Sequence, residues 1–435
     1  MIYWLKWEDF MNEAEIRPTL EQIQWADCEI GVIIHLDIVI YQAPYDRRKH
    51  FGDPIPASVF DPKKLDTDQW IRSAKALGAK YAVLVAKHGT GFSLWPTKAH
   101  EYSVKSSPYK NGQGDIVKEF FESCKKYDVR PGLYCSASFN QYFSVENPGR
   151  VIDGNPEKQK EYNEMVLQQL TELWTDYGKI FEIWFDGGVI PVSEGGPDVA
   201  SLLKKLQPDA VVFQGPVGTK SLVRWAGNER GVASEENSSL YDNRVQGETG
   251  DKEKSMDFER AEIWCPAESD FPNRYAHQSY EGGWFWKEGE EHTVLPPEVL
   301  FEKYLTTVGR NSNMLVGMVI NTDGEVPEPD VTVFAEAGEL IRNAFGKPVA
   351  VGDTQSVLTD IAPRYVVLKE DISQGERVTG YTVRAYNAHG KEIFTHSGKV
   401  ISHKRIIKIP TQTRKVTLEI TNNRAEPQLL PIELY

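Results

Sequence analysis

Phe181-Glu182-Ile183-Trp184-Phe185-Asp186-Gly187-Gly188 is a short, mostly apolar run that stops at a carboxylate followed by two glycines. Such a run, bounded by turn residues, reads as a buried strand. Asp186 then stands at the strand's carboxyl end, flanked by Trp184 and Phe185. In a parallel α/β barrel the carboxyl ends of the strands carry the chemistry. Asp before Gly is also ordinary turn chemistry, so the surrounding chain decides between a site and a turn.

On the amino-terminal side, β-rich and helical segments alternate. Residues 29–40 are β-rich and contain His35, and a polar, proline-punctuated loop follows. Residues 65–78 have helical spacing at Trp70, Ala74 and Leu77. Residues 79–87 form a continuous apolar strand ending at His88. Asp115 caps a helix with Ile116, Val117, Phe120, Phe121, Cys124 and Tyr127 as its apolar positions. A strand at 131–136 and a helix at 157–178 lead to the quoted run. Beyond it come a helix at 198–206 and a strand at 210–214. Less regular strands are read at 222–226, 261–266 and 313–319, with a helix at 297–308 before the last. The strands are apolar throughout, as when helices cover both faces. About seven or eight of them favour a (β/α)8-like TIM barrel. The competing open sheet would bring a GxGxxG after its first strand, and none is present. Past Phe345-Gly346-Lys347-Pro348 the helices stop, and short alternating segments imply an antiparallel β-sandwich. The expected division is a catalytic barrel over 1–345 and a C-terminal sandwich over 346–435.

The 435 residues carry a net charge of −14, with 40% hydrophobic and 26% charged residues. That balance excludes a nucleic-acid footprint and disfavours anionic membrane surfaces. No run approaches a membrane span. Cys28, Cys124, Cys135 and Cys265 are scattered, without metal or disulfide spacing, and read as buried thiols. Met1 to Trp25 is charged and helix-like and lacks the pattern of a secretory signal. The compartment stays open: cytoplasmic, or periplasmic or extracellular if a leader was removed. Eleven Trp and nineteen Tyr suit clefts that bind sugar rings.

The strand ends deliver His35, His88, Tyr134 and Asp186. The irregular region adds Arg224, Glu229 and Glu268, and Trp95 and Trp284 lie in loops. Carboxylates with His, Arg and Trp, and no metal constellation, suit glycoside hydrolysis, which needs two carboxyl groups across one bond. Asp186, on a buried strand, suits the nucleophile. Glu229, on a loop, suits the general acid/base. No metal or cofactor is called for.

At these residues the chain resembles the α-L-fucosidases of glycoside hydrolase family 29. The likeness rests on the Trp184-Phe185-Asp186-Gly187 strand and on the loop from Ala86 to Thr97. It extends to Arg224-Trp225 with Gly227-Asn228-Glu229, Pro266-Ala267-Glu268, Gly283-Trp284-Phe285 and the tail around His403-Lys404-Arg405. The resemblance implies the branch that cleaves α-1,3- and α-1,4-fucosyl linkages, acting on fucosylated oligosaccharides or glycoconjugates. It implies retention through a fucosyl-Asp186 intermediate, with Glu229 switching from acid to base about 5–5.5 Å away. It implies sugar contacts from His35, His88, Trp95, Tyr134, Trp184, Arg224, Glu268 and Trp284. Three departures stand out. His88 is followed by Gly89-Thr90 where the family has a second histidine and an aspartate. Lys49-His50-Phe51 replaces the usual Glu-Trp, and Cys135 replaces a second tyrosine. These changes lie in the pocket for the released sugar and admit a related one such as L-galactose. Glu235 and Glu236 rival Glu229 as acid/base. A catalytically silent sugar-binding protein on the same fold is the reading from another class; the intact Asp186 and Glu229 argue against it. Oligomeric state is not legible.

Overall fold

The computed structural model describes residues 16–241 and 261–435. Eight parallel strands close into a barrel: β1 (Ile30–His35), β2 (Tyr81–Lys87), β3 (Arg130–Cys135), β4 (Glu182–Trp184), β5 (Val211–Phe213), β6 (Leu222–Trp225), β7 (Ala267–Pro272) and β8 (Ser312–Val319). Each strand pairs with its neighbours in sequence, and β8 closes onto β1. β1, β2 and β8 are buried along their whole length, which is why they read as apolar runs without alternation.

Side chains alternate across each strand, so the barrel makes two cores. Ile33, Tyr81, Val83, Tyr134, Trp184, Phe213, Val223 and Leu315 fill the interior. Ile34, Leu84, Leu133, Ile183, Val212 and Val316 pack outward against the helices. Helix α1 (Leu20–Ala26) closes the amino-terminal mouth. Its Trp25 is 1% exposed, and Asn313 Nδ2 donates to the Trp25 carbonyl at 2.7 Å. The part of the expected N-terminal helical stretch before Ile16 lies outside the described residues.

The outer helices are α2 (Thr67–Leu77), α3 (Ile116–Tyr127), α4 (Pro156–Thr175), α5 (Val199–Leu206), α6 (Pro297–Thr307) and α7 (Glu328–Phe345). Their starts follow the sequence. The Asp66, Asp115 and Asp198 carboxylates each accept a backbone N–H of the first turn, satisfying otherwise orphaned donors. Trp70 and Ile71 of α2 are wholly buried, each contributing about 1.5–3 kcal/mol. Among the described residues no helix follows β5 or β6. No helix among them is long and apolar enough to cross a membrane.

The seventh strand is where the structure departs from the sequence reading. The apolar stretch 261–266 yields only Ile263–Trp264, a two-residue strand paired with Leu240–Tyr241 outside the barrel. The barrel strand is Ala267-Glu268-Ser269-Asp270-Phe271-Pro272. Two inward-facing acids hide it from any hydropathy pattern. Helix α7, which the periodicity reading did not single out, covers the β8–β1 seam against α2.

Residues 350–434 form two four-stranded antiparallel sheets. One holds β9 (Ala350–Val351), β11 (Tyr365–Leu368), β14 (Arg405–Lys408) and β16 (Glu433–Leu434). The other holds β10 (Ser356–Leu358), β12 (Val378–Tyr386), β13 (Glu392–Gly398) and β15 (Lys415–Asn423). Val366, Leu368 and Ile407 from the first meet Val357, Val383 and Val416 from the second in one apolar cluster. The tail is bound to the barrel by polar contacts. His403 Nε2 lies 2.9 Å from Asp27 Oδ1. Glu376 accepts from Ser238 Oγ at 2.5 Å and Ser239 N at 3.0 Å. Arg405 Nη2 meets Glu235 at 3.0 Å, and Glu236 accepts Lys399 N at 2.8 Å and Val400 N at 3.0 Å.

His100 illustrates a proton linkage. It packs against Tyr142 and Phe143, and its Nδ1 accepts Tyr102 N–H at 3.1 Å. Burial first, then Lys87 and Lys105, pushes its pKa from the ordinary 6.5 down to about 3. The folded value lies below the unfolded one. The stability it contributes is therefore complete above the unfolded value and is lost as pH falls toward the folded one. The urea midpoint should drop between neutral and mildly acid pH. His100→Gln should remove at most about 1–2 kcal/mol of that drop; an unchanged drop would refute the linkage.

Candidate active site

The carboxyl ends of the strands form an open cleft, and Asp186 lies two residues beyond Trp184 on its floor. Three contacts fix it. Tyr134 OH donates to Asp186 Oδ2 at 3.1 Å. The Ser138 hydroxyl donates to the Asp186 carbonyl. Gly187 N donates to Gln214 Oε1 at 2.9 Å. Gly187 and Gly188 both have positive φ, at 74° and 75°, a turn that favours glycine. Beneath, Trp184 stacks on Phe213 at 3.9 Å and on Tyr134 at 5.4 Å. Asp186 is open to solvent, yet the cleft walls surround it. Desolvation raises its pKa, the Tyr134 hydrogen bond opposes the rise, and the charge of Glu229 adds to it. A second carboxylate therefore stands within electrostatic reach of the first.

Glu229 is exposed on the arm after β6. Trp284 Nε1 donates to its Oε2 at 3.1 Å. Trp284 belongs to the loop after β7 and lies 5.1 Å from the His35 ring. Gly317 of β8 makes room for it: a Cβ there would come within 2.9 Å of Trp284 Cζ3. His35 and His88 continue this wall. Their rings are 6.0 Å apart, and His88 stacks on Tyr134 at 5.6 Å. Burial, with a smaller push from Arg47, takes His35 down to about 3 and His88 well below its ordinary value. Both rings are neutral near pH 7, so each offers one donor and one acceptor to a polar ligand.

The site thus brings together Asp186, Glu229, His35, His88, Tyr134 and Trp284, with Trp184 as its floor. Three other residues named from sequence lie elsewhere. Trp95 is 2% exposed, and its Nε1 donates to Glu172 Oε2 of α4 at 2.8 Å, outside the barrel. Arg224 takes the outward parity of β6, between the inward Val223 and Trp225. Its Nη2 donates to Asn237 Oδ1 at 2.5 Å and to the Ser238 carbonyl at 3.1 Å. Glu268 is fully buried inside the barrel. Tyr81 OH donates to one of its oxygens at 2.5 Å and Trp184 Nε1 to the other at 2.9 Å. Burial raises the pKa of Glu268 and of its neighbour Glu182, and the Glu268 charge raises Glu182 further. Glu268 steadies Trp184 from below. Once β7 starts at Ala267, residue 268 lies near the strand's beginning instead of beyond its end.

The rival acids also face elsewhere. Glu235 pairs with Arg310 and Arg405, and Glu236 caps two backbone N–H groups of the tail. Pattern reading missed two residues. Asp270, at the pocket end of β7, accepts Trp225 Nε1 at 2.6 Å and is buried beside Glu229. Arg47, in the loop after β1, is ion-paired with Glu281. Period-two parity along β7 would have exposed Asp270 had the strand been recognised. Nothing in the local sequence marks Arg47. Thr90 is held from β1's loop, where Asp37 Oδ2 accepts Thr90 Oγ1 at 2.6 Å.

The family model described as alpha-L-fucosidase matches residues 24–344. Alpha-L-fucosidase 1 of Arabidopsis thaliana is 30% identical over an alignment covering 96% of this chain and 87% of that protein. A crystal structure of a putative alpha-L-fucosidase from Bacteroides thetaiotaomicron superposes with TM-score 0.86 and 30% identity, covering 97% of this chain and 99% of the other. A GH29 fucosidase of Ruminococcus gnavus, solved with fucose, shares the fold at TM-score 0.79 and 23% identity, covering 97% and 95% of the two chains.

Proposed function

The chain belongs to the alpha-L-fucosidase family of glycoside hydrolases, and from that premise we propose that it releases L-fucose from branched glycans by a retaining mechanism, with Asp186 as nucleophile and Glu229 as acid/base. The ionised Asp186 carboxylate attacks the anomeric carbon as the glycosidic C–O bond breaks, and Glu229 gives its proton to the departing oxygen. Glu229, now a carboxylate, takes a proton from water. The hydroxide equivalent attacks the same carbon, and the Asp186–sugar bond breaks to free fucose and the carboxylate. Tyr134 holds Asp186 in line. His35 and His88, both neutral, hydrogen-bond the sugar hydroxyls, and Trp284 covers the apolar side of the ring. The stoichiometry needs only water. The barrel over 1–345 acts as the catalytic unit and the sandwich over 346–435 as its support.

One observation carries this reading. A solvent-accessible carboxylate stands at the end of β4 with a phenol donating to it, and a second carboxylate is near enough to raise its pKa. Those are the parts a double displacement uses.

The test is proton NMR of the first turnovers. α-L-Fucose should appear before mutarotation, released faster from 3-fucosyllactose and Lewis-type trisaccharides than from unbranched fucosides. First appearance of the β-anomer would overturn retention. Equal cleavage of unbranched fucosides would overturn the branched preference. Faster cleavage of α-L-galactosides, which carry a C6 hydroxyl that fucose lacks, would move the specificity to that sugar.

A further inference from the structure

Arg47 occupies space that a side chain at position 89 would need. A Cβ on Gly89 would lie 2.8 Å from Phe139 Cδ1, 3.2 Å from Arg47 Nε and 3.3 Å from Arg47 Cδ. Gly89 follows His88 directly, so the Arg47 side chain runs along the wall that His88 forms. Only 14% of that side chain is exposed. Its Nη1 is ion-paired with Glu281, three residues before Trp284. The Tyr280 hydroxyl also donates to the Tyr45 carbonyl, at 3.2 Å, joining the same two loops. Nε and Nη2 have no hydrogen-bond partner among the described residues. The cation's field reaches His35, His88, Tyr134 and Asp186.

We propose that Arg47 is a sugar-binding residue of this pocket, oriented by Glu281 and standing where a residue-89 side chain would otherwise reach the substrate. The proposal rests on reading Asp186 and its surroundings as the fucose site. A guanidinium presents its donors in a fixed, planar fork, which suits two adjacent hydroxyl oxygens of a neutral sugar. The Glu281 carboxylate offsets its charge. The positive charge that develops on the sugar ring during cleavage therefore meets a neutral pair instead of a bare cation. The ligand class is a neutral hexose or deoxyhexose with vicinal hydroxyls on the His88 side.

The experiment measures kcat and KM on para-nitrophenyl α-L-fucoside, and inhibition by L-fucose, for Arg47→Ala, Arg47→Lys, Gly89→His and the double variant Arg47→Ala/Gly89→His. Loss of a charged donor should weaken L-fucose inhibition roughly 10- to 150-fold in Arg47→Ala, with a smaller loss in Arg47→Lys. Gly89→His alone should lose activity, because its side chain meets both the Phe139 ring, which can turn aside, and the Arg47 side chain, which its Glu281 pair holds in place. The double variant should exceed both single variants, a mutual rescue that a purely structural arginine would not give. Parent-like fucose inhibition in Arg47→Ala, or a double variant no better than either single one, overturns the proposal. If Asp186→Ala is inactive while Arg47→Ala binds fucose normally, only the Arg47 assignment fails. If Asp186→Ala keeps its turnover, the site reading fails with it.

Discussion

Asp186→Ala should lower kcat on para-nitrophenyl α-L-fucoside by on the order of 10³–10⁵-fold, and sodium azide should restore part of it. That loss corresponds to about 4–7 kcal/mol of transition-state stabilisation. It should fall on the reaction and not on folding. The Ser138 hydroxyl holds the Asp186 backbone carbonyl, the Gln214 contact is to Gly187 N, and the Trp184–Phe213 stack lies beneath. None of these uses the deleted carboxylate. The vacated floor is open to solvent, so azide can attack the anomeric carbon from the face the carboxylate used. The aglycone leaves with the Glu229 proton, and the product is β-L-fucosyl azide. An Asp186→Ala enzyme that still hydrolyses the substrate at a tenth of the parent rate, or azide that yields no β-azide, removes the nucleophile assignment. The pH profile adds a signed check. Glu229 contributes to the raised pKa of Asp186, and Asp186 must be ionised to attack. Neutralising residue 229 with Gln should therefore move the acid limb of kcat/KM to lower pH.

Glu229→Ala should cost roughly 10²–10⁴-fold on oligosaccharides, whose leaving oxygens need a proton, and much less on aryl fucosides in the bond-breaking step. Azide should accelerate breakdown of the fucosyl-enzyme and give α-L-fucosyl azide, the opposite anomer from the Asp186 variant. The pair of anomers separates the two roles in one assay. Glu229 is held beside the cleft by Trp284 Nε1, whereas Glu235 and Glu236 are engaged by the tail. Full oligosaccharide turnover by Glu229→Ala would transfer the acid/base role to another carboxyl group, and Asp270, buried beside it, would be the next to replace.

Much of the barrel was readable because its signals are local. Asp115 and Asp198 announce helix starts, and continuous apolar runs announce β1, β2, β4 and β8. The His35, His88, Tyr134 and Asp186 constellation followed from counting to the ends of those strands. The failures share a different cause. β7 buries Glu268 and Asp270, so tertiary context overrides its polarity, and hydropathy alone points to the apolar segment just before it. That shift carried Glu268 from the barrel interior to an imagined rim. Arg224 was misplaced by parity, since its neighbour Trp225 takes the inward position. Trp95 packs away from the cleft through Glu172, a partner on another element that no local pattern reveals. Arg47 owes its place to a glycine more than forty residues on, beyond the range of any periodicity.

The tail's hold on residues 235–240 has a consequence for how such an enzyme can diversify. The arm that bears Glu229 is tethered at its far end by Arg405, Glu376 and the Lys399-Val400 backbone. Changes that retune the side of the cleft facing the aglycone must stay compatible with those anchors. Transplanting that arm from a relative with other tastes in leaving group would carry a hidden requirement: the matching stretch of tail would have to travel with it.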